Sequence, residues 1–117
     1  MDTRLGNAAE HPAAVIWLDR YHALIARAQA GRAAVTEIDR DLDPEPTYLH
    51  RILHEAADCD RLVVMGSDAA RIAFEREYVA LYRRPDRLID VSGVETARES
   101  DLVDHLRMLD PSLSAVN

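Results

Sequence analysis

The run RLVVMGSDAARIAFEREY, from Arg61 to Tyr78, constrains the fold more than any other part of the chain. Leu62, Val63, Val64 and Met65 are consecutive apolar residues, the pattern of a strand covered on both faces. Gly66 permits a sharp turn, and Ser67 or Asp68 can offer a side-chain oxygen to the first free amides of a helix. A buried strand, a tight turn and a helix form the unit of an α/β sheet. Open α/β sheets bind ligands outside the carboxyl ends of their strands, so Gly66, Ser67 and Asp68 are the first candidates for a binding site.

The flanking sequence supplies the rest of such a sheet. Residues 13–19 read as a strand entered after Pro12, and residues 33–38 read as another. Residues 23–29 read as a strand or as the end of a helix, since Ala and Leu favour helices. With a turn at Ala30-Gly31-Arg32, the three segments predict an antiparallel meander. An acidic loop over residues 39–46 follows, then a helix from Pro46 to about Cys59 with Leu49, Ile52, Leu53, Ala56 and Ala57 at helical spacing. A longer helix runs from Asp68 to about Arg84, with Ile72, Phe74, Val79, Leu81 and Tyr82 as its apolar contacts and Pro85 as its stop. Residues 88–91 read as a short strand parallel to 61–65. A last helix ends near Leu109, with Thr96 or Ser100 as its cap. The expected fold class is α/β, a single-domain mixed sheet flanked by helices over residues 13–110, with tails at 1–12 and 111–117.

Composition excludes several function classes. A chain of 117 residues supports one core and leaves no room for a two-domain cleft. No apolar run approaches the roughly 20 residues of a membrane span, and the first ten residues lack the apolar centre of a secretory signal. No membrane partner is expected, and a cytoplasmic address follows. Cys59, the only cysteine, reads as a packed core thiol. All 14 basic residues are Arg, and the formal charge is −7. That balance disfavours a domain that grips nucleic acid by general electrostatics; no DNA partner is expected.

The chemistry-bearing motifs are sparse. His50 and His54 lie four apart on one helix face and could hold a metal, but the Glu of either zinc-protease arrangement is missing. The Gly66 turn could receive an anion on backbone amides, although Asp68 would repel it, and helix capping is the simpler account. Arg83 and Arg84, with Arg87 near and Arg71 and Arg76 on the same helix, form the strongest basic cluster. They suit a helix C-terminus, or a contact to RNA or an acidic partner. Trp17 lies in an apolar strand and reads as core. No catalytic constellation is present, and no cofactor is implied.

The pieces Val15-Ile-Trp-Leu-Asp19, Tyr48-Leu-His50, Leu62-Val-Val-Met-Gly66, Ala69-Ala-Arg71 with Phe74, Gly93-Val-Glu-Thr96 and Leu102-Val103 occur in a telling order. Together they span residues 13–109. In that order the chain resembles a family of small bacterial proteins, often called translational machinery proteins. These are similar to the third domain of the eukaryotic and archaeal peptide-chain release factor and of Pelota. The resemblance implies a fold like that of kink-turn-binding ribosomal proteins, and association with ribosomes or translation factors. Two departures weigh against RNA contact. The family's His-rich loop is replaced by the acidic residues 39–46, and its Gly-Pro-Gly-like turn by Gly66-Ser67-Asp68. The Gly-Gly-Gln motif of peptide release is absent.

The resulting expectation is a non-enzymatic binding module of the translation apparatus, with Gly66, Ser67, Asp68, Arg83 and Arg84 as partner-binding residues. One alternative is a small enzyme or a ligand- or metal-binding protein using the Gly66 turn or the His50/His54 pair. The other is a structural homodimer.

Overall fold

A computed structural model describes residues 12–113; of the expected tails at 1–12 and 111–117, residues 1–11 and 114–117 lie outside the described residues. Five strands, β1 (Ala13–Leu18), β2 (His22–Gln29), β3 (Arg32–Asp39), β4 (Arg61–Gly66) and β5 (Leu88–Asp90), form one sheet in the order β3-β2-β1-β4-β5. The first three are the expected antiparallel meander, and residues 23–29 are strand, not helix. β1 pairs with β4 and β4 with β5 in parallel, which makes the sheet mixed.

The two central strands carry the apolar runs because both of their faces are covered. Ala14, Ile16 and Leu18 of β1, with Leu62 and Val64 of β4, face helices α1 (Glu45–Ala56) and α2 (Asp68–Tyr82). Ala13, Val15 and Trp17, with Val63 and Met65, face helix α3 (Glu99–Leu109). Strand alternation thus divides one apolar run between two cores. Leu113, just past α3, is also buried in the second core.

The turns follow their residues. Ala30 (φ 56°) and Gly31 (φ 81°) take positive φ in succession, the conformation that matches a two-residue hairpin to the twist of its strands. Between β1 and β2 the Asp19 carboxylate accepts hydrogen bonds from the Tyr21 and His22 amides at 2.7 and 2.9 Å. The Tyr48 hydroxyl donates to the Asp19 carbonyl at 2.9 Å and ties α1 to that turn. Trp17 is core as expected; its indole N–H donates to the Val94 carbonyl at 3.1 Å, pinning the loop before α3.

Three local expectations are corrected. α2 buries Ala70, Arg71, Phe74 and Tyr78, while Ile72, Leu81 and Tyr82 are exposed. Phe74 and Tyr78 set the buried face, and Ile72, two residues before Phe74, is turned away from it. α2 ends at Tyr82, two residues short of expectation, because Arg83 enters the left-handed region. The last helix begins at Glu99, and its entry is fixed by the Asp101 carboxylate accepting the Arg98 amide at 2.9 Å, not by Thr96 or Ser100.

Candidate functional site

The Gly66 turn joins β4 to α2 and is closed against β1. Gly66 has φ 125°, and a Cβ there would fall 1.8 Å from the Leu18 carbonyl oxygen. The next amide, Ser67 N–H, donates to that same oxygen at 3.1 Å. Glycine is therefore required by backbone contact between neighbouring parallel strands. The carboxyl ends of β1 and β4, where an open sheet would leave a crevice, are packed together here.

Neither expected cap forms. Ser67 holds the extended conformation of a cap residue, but its side chain makes no hydrogen bond to the helix. Asp68 instead accepts from Arg71 Nη1 at 2.7 Å. The reason is Arg71, whose guanidinium is buried one turn into α2 and requires counter-charge. Its Nε also donates to Asp90 Oδ1 at 2.6 Å, at the end of β5, and Nη1 lies 3.4 Å from the Gly66 carbonyl. Arg71 is thus not part of a surface patch; it staples the first turn of α2 to the edge strand.

A fourth group completes this cluster. Glu75, one turn beyond Arg71, has its Oε2 buried without a hydrogen-bond partner, and its carboxyl lies within hydrogen-bonding reach of Asp90. Burial, reinforced by Asp90, pushes the Glu75 carboxyl up to about 7. Asp90 is held below the usual carboxylate range, first by Glu75 and then by Arg71. The pair is suited to share one proton, with Glu75 donating to the Asp90 carboxylate. Sequence reasoning missed it. Asp68, Arg71 and Glu75 have the spacing of ordinary ion pairs on a solvated helix face, and nothing local brings Asp90 to them.

At the far end of α2 the basic cluster is partly neutralised. Arg84 forms a fork with Asp86, Nε to Oδ1 at 3.0 Å and Nη2 to Oδ2 at 2.8 Å. Arg87 lies 3.7 Å from Asp60. Arg83 closes the helix with φ 55°, its amide donating to the Val79 carbonyl at 2.9 Å. Its exposed side chain has no ion-pair partner among the described residues, and the same holds for Arg76. Exposed Ile72, Leu81 and Tyr82 share this helix. The C-terminal end of α2 therefore combines the open Arg83 guanidinium with the accessible apolar surface of Leu81 and Tyr82, while Ile72 and Arg76 lie together farther back on the helix.

The remaining candidates lie on α1, at its end and in the loop before it. His50 Nε2 lies 3.1 Å from Glu77 Oε2 and links α1 to α2. His50 and His54 border an open groove of about 570 Å³ between β3 and α1. No group of three or more His, Cys, Asp or Glu residues is arranged to hold a metal among the described residues. Cys59 is buried, and burial pushes its thiol up to about 11, which disfavours the thiolate at neutral pH. The acidic loop is tied down by Arg51, which donates to the Asp39 carbonyl at 2.9 Å and to Asp43 at 2.8 Å.

Neither a protein-family model nor a curated protein matches the sequence. Solved structures do match the architecture. Pelota from Archaeoglobus fulgidus superposes with a TM-score of 0.63 at 17% identity, covering 94% of this chain and 37% of its own. The chain has a Pelota-type fold. Pelota from Thermoplasma acidophilum gives 0.58 at 18% identity, covering 92% of this chain and 38% of its own. An archaeal translation termination factor gives 0.52 at 15%, covering 95% and 39%. The chain thus spans well under half the length of the proteins whose fold it shares, and the expected resemblance to a part of Pelota and the release factor is met at the level of the fold.

Proposed function

We propose that the chain is a non-enzymatic binding module of the translation apparatus, acting through protein contacts on ribosomal particles or translation factors. The observation that carries this reading is the Pelota-type fold extending over nearly the whole chain, shared with a translation termination factor. The C-terminal end of α2 is the contact surface, with Arg83 as its open charge and Leu81 and Tyr82 as its apolar part. Arg84 contributes together with Asp86, as a neutral pair. Gly66 serves by shaping the turn, and Ser67 and Asp68 by presenting it. A protein partner is favoured over RNA by the net charge of −7 and by the neutralisation of Arg84 and Arg87.

Co-sedimentation with ribosomal particles in extracts of the source cells tests this reading. Migration with the particles, weakened by the Arg83→Ala/Arg84→Ala double variant, supports it; migration with small soluble protein at every salt concentration overturns it. A second reading, self-association, is favoured by one observation. β3 is an eight-residue strand at the sheet edge, a ready template for pairing with a twin. Light scattering decides it: a monomer at high concentration removes it.

A further inference from the structure

β5 is the least secured strand of the sheet. It contributes three residues, pairs on one side only, and matches Leu62, Val63 and Val64 of β4 through Leu88, Ile89 and Asp90. Beyond those pairings it is held by the packing of Leu88 and of the adjoining Val91 against the two cores, by the Val91 amide donating to the Val64 carbonyl at 2.9 Å, and by the side chain of Asp90. That side chain meets two groups of α2: Arg71, which donates to it, and Glu75, a second acid.

From this geometry we propose that Glu75, Asp90 and Arg71 form a proton-operated latch that holds edge strand β5 against α2 and releases it when Glu75 loses its proton. With Glu75 protonated, its hydroxyl donates to the Asp90 carboxylate, Arg71 binds the same carboxylate, and two acids and one base carry no net charge. With Glu75 ionised, two carboxylates adjoin. Arg71 is already committed to Asp90 and Asp68, and the buried Oε2 has no donor. An uncompensated buried carboxylate is costly, and moving Asp90, and β5 with it, away from α2 relieves that cost. Opening would free the outer edge of β4 for another strand. The charged groups that face Glu75 are Asp90 from β5 and Arg71 from its own helix, with Asp68 on the same guanidinium. β4, the strand beneath, is apolar from Leu62 to Met65. Burial and Asp90 push the Glu75 carboxyl up to about 7, where small changes of pH would alter the population.

Two measurements on the intact protein test the latch. Carbon-detected NMR titration of the Glu75 side chain should give a midpoint near 7; a midpoint in the ordinary range for glutamate overturns the proposal. Amide hydrogen exchange at Ile89, Asp90 and Val91, corrected for the intrinsic rate, should show opening that increases by up to about tenfold per pH unit above the Glu75 midpoint. Glu75→Gln, whose amide donates to Asp90 at every pH, should remove that dependence and keep β5 protected. Protection of β5 that is independent of pH in the parent protein, or pH-dependent opening that persists in Glu75→Gln, overturns it. If the variant does not fold, the parent titration and exchange decide alone.

Discussion

Two residues whose backbone angles sit at positive φ, Gly66 and Ala30, show how local chemistry fixes the chain. Gly66 has no alternative: any side chain would occupy the space of the Leu18 carbonyl oxygen. Gly66→Ala is expected to cost about 3 kcal/mol or more, since strain and steric displacement combine; the midpoint of urea unfolding measures it. Ala30 is the opposite case. It holds φ 56° before Gly31, where Asn is far better suited, so Ala30→Asn should raise stability by about 0.5–1 kcal/mol in the same assay. Gly66 was legible in the sequence as a turn, but the reason for it was not, because the close contact is with Leu18 on another strand. The same limit hid the latch: Arg71 and Asp90 are 19 residues apart, and only the docking of β5 brings them together.

At the scale of elements, the legible parts were those with simple periodicity. β1 and β4 were found because burial on both faces leaves no polar residue to interrupt them. α1 was found because Leu49, Ile52, Leu53 and Ala56 share one face. α2 was located but its face was misjudged. Its buried row includes an arginine, which no apolar pattern would select, while Ile72 is turned away from the core and Leu81 overhangs its end, both exposed. The end of α2 makes a prediction of its own. Arg83 closes α2 in a left-handed conformation better suited to glycine, so Arg83→Gly should stabilise the protein by about 0.5–1 kcal/mol. If Arg83 also contacts a partner, the same variant should bind more weakly although it melts higher. Thermal melting and co-sedimentation of one sample read both effects. Retention of full binding would remove Arg83 from the contact surface.

For the whole molecule, charge is arranged so that stability depends on pH in a definite direction. The Glu75 carboxyl is raised from 4.5 to about 7 in the folded protein. The folded state therefore holds the Glu75 proton more tightly than the unfolded chain does. The stability it contributes is complete below about 4.5 and is lost as pH rises through about 7. Asp90 shifts the other way; its contribution is present above its ordinary value of 3.8 and is lost as pH falls. Urea unfolding midpoints should consequently be higher near pH 5.5 than near pH 8.5, with most of the change between pH 5 and 7, and Glu75→Gln should flatten that slope.

The architecture as a whole was legible as a mixed α/β sheet because its turns, its paired apolar runs and its helix spacing agree with one another. What the assembly binds is the central claim, and it is tested most directly by sedimenting the protein from extracts of its source cells through a sucrose gradient. The account predicts that it travels with ribosomal particles and that Arg83→Ala/Arg84→Ala shifts it toward the top of the gradient. A protein that stays at the top at every salt concentration, with the parent sequence intact, would contradict the account.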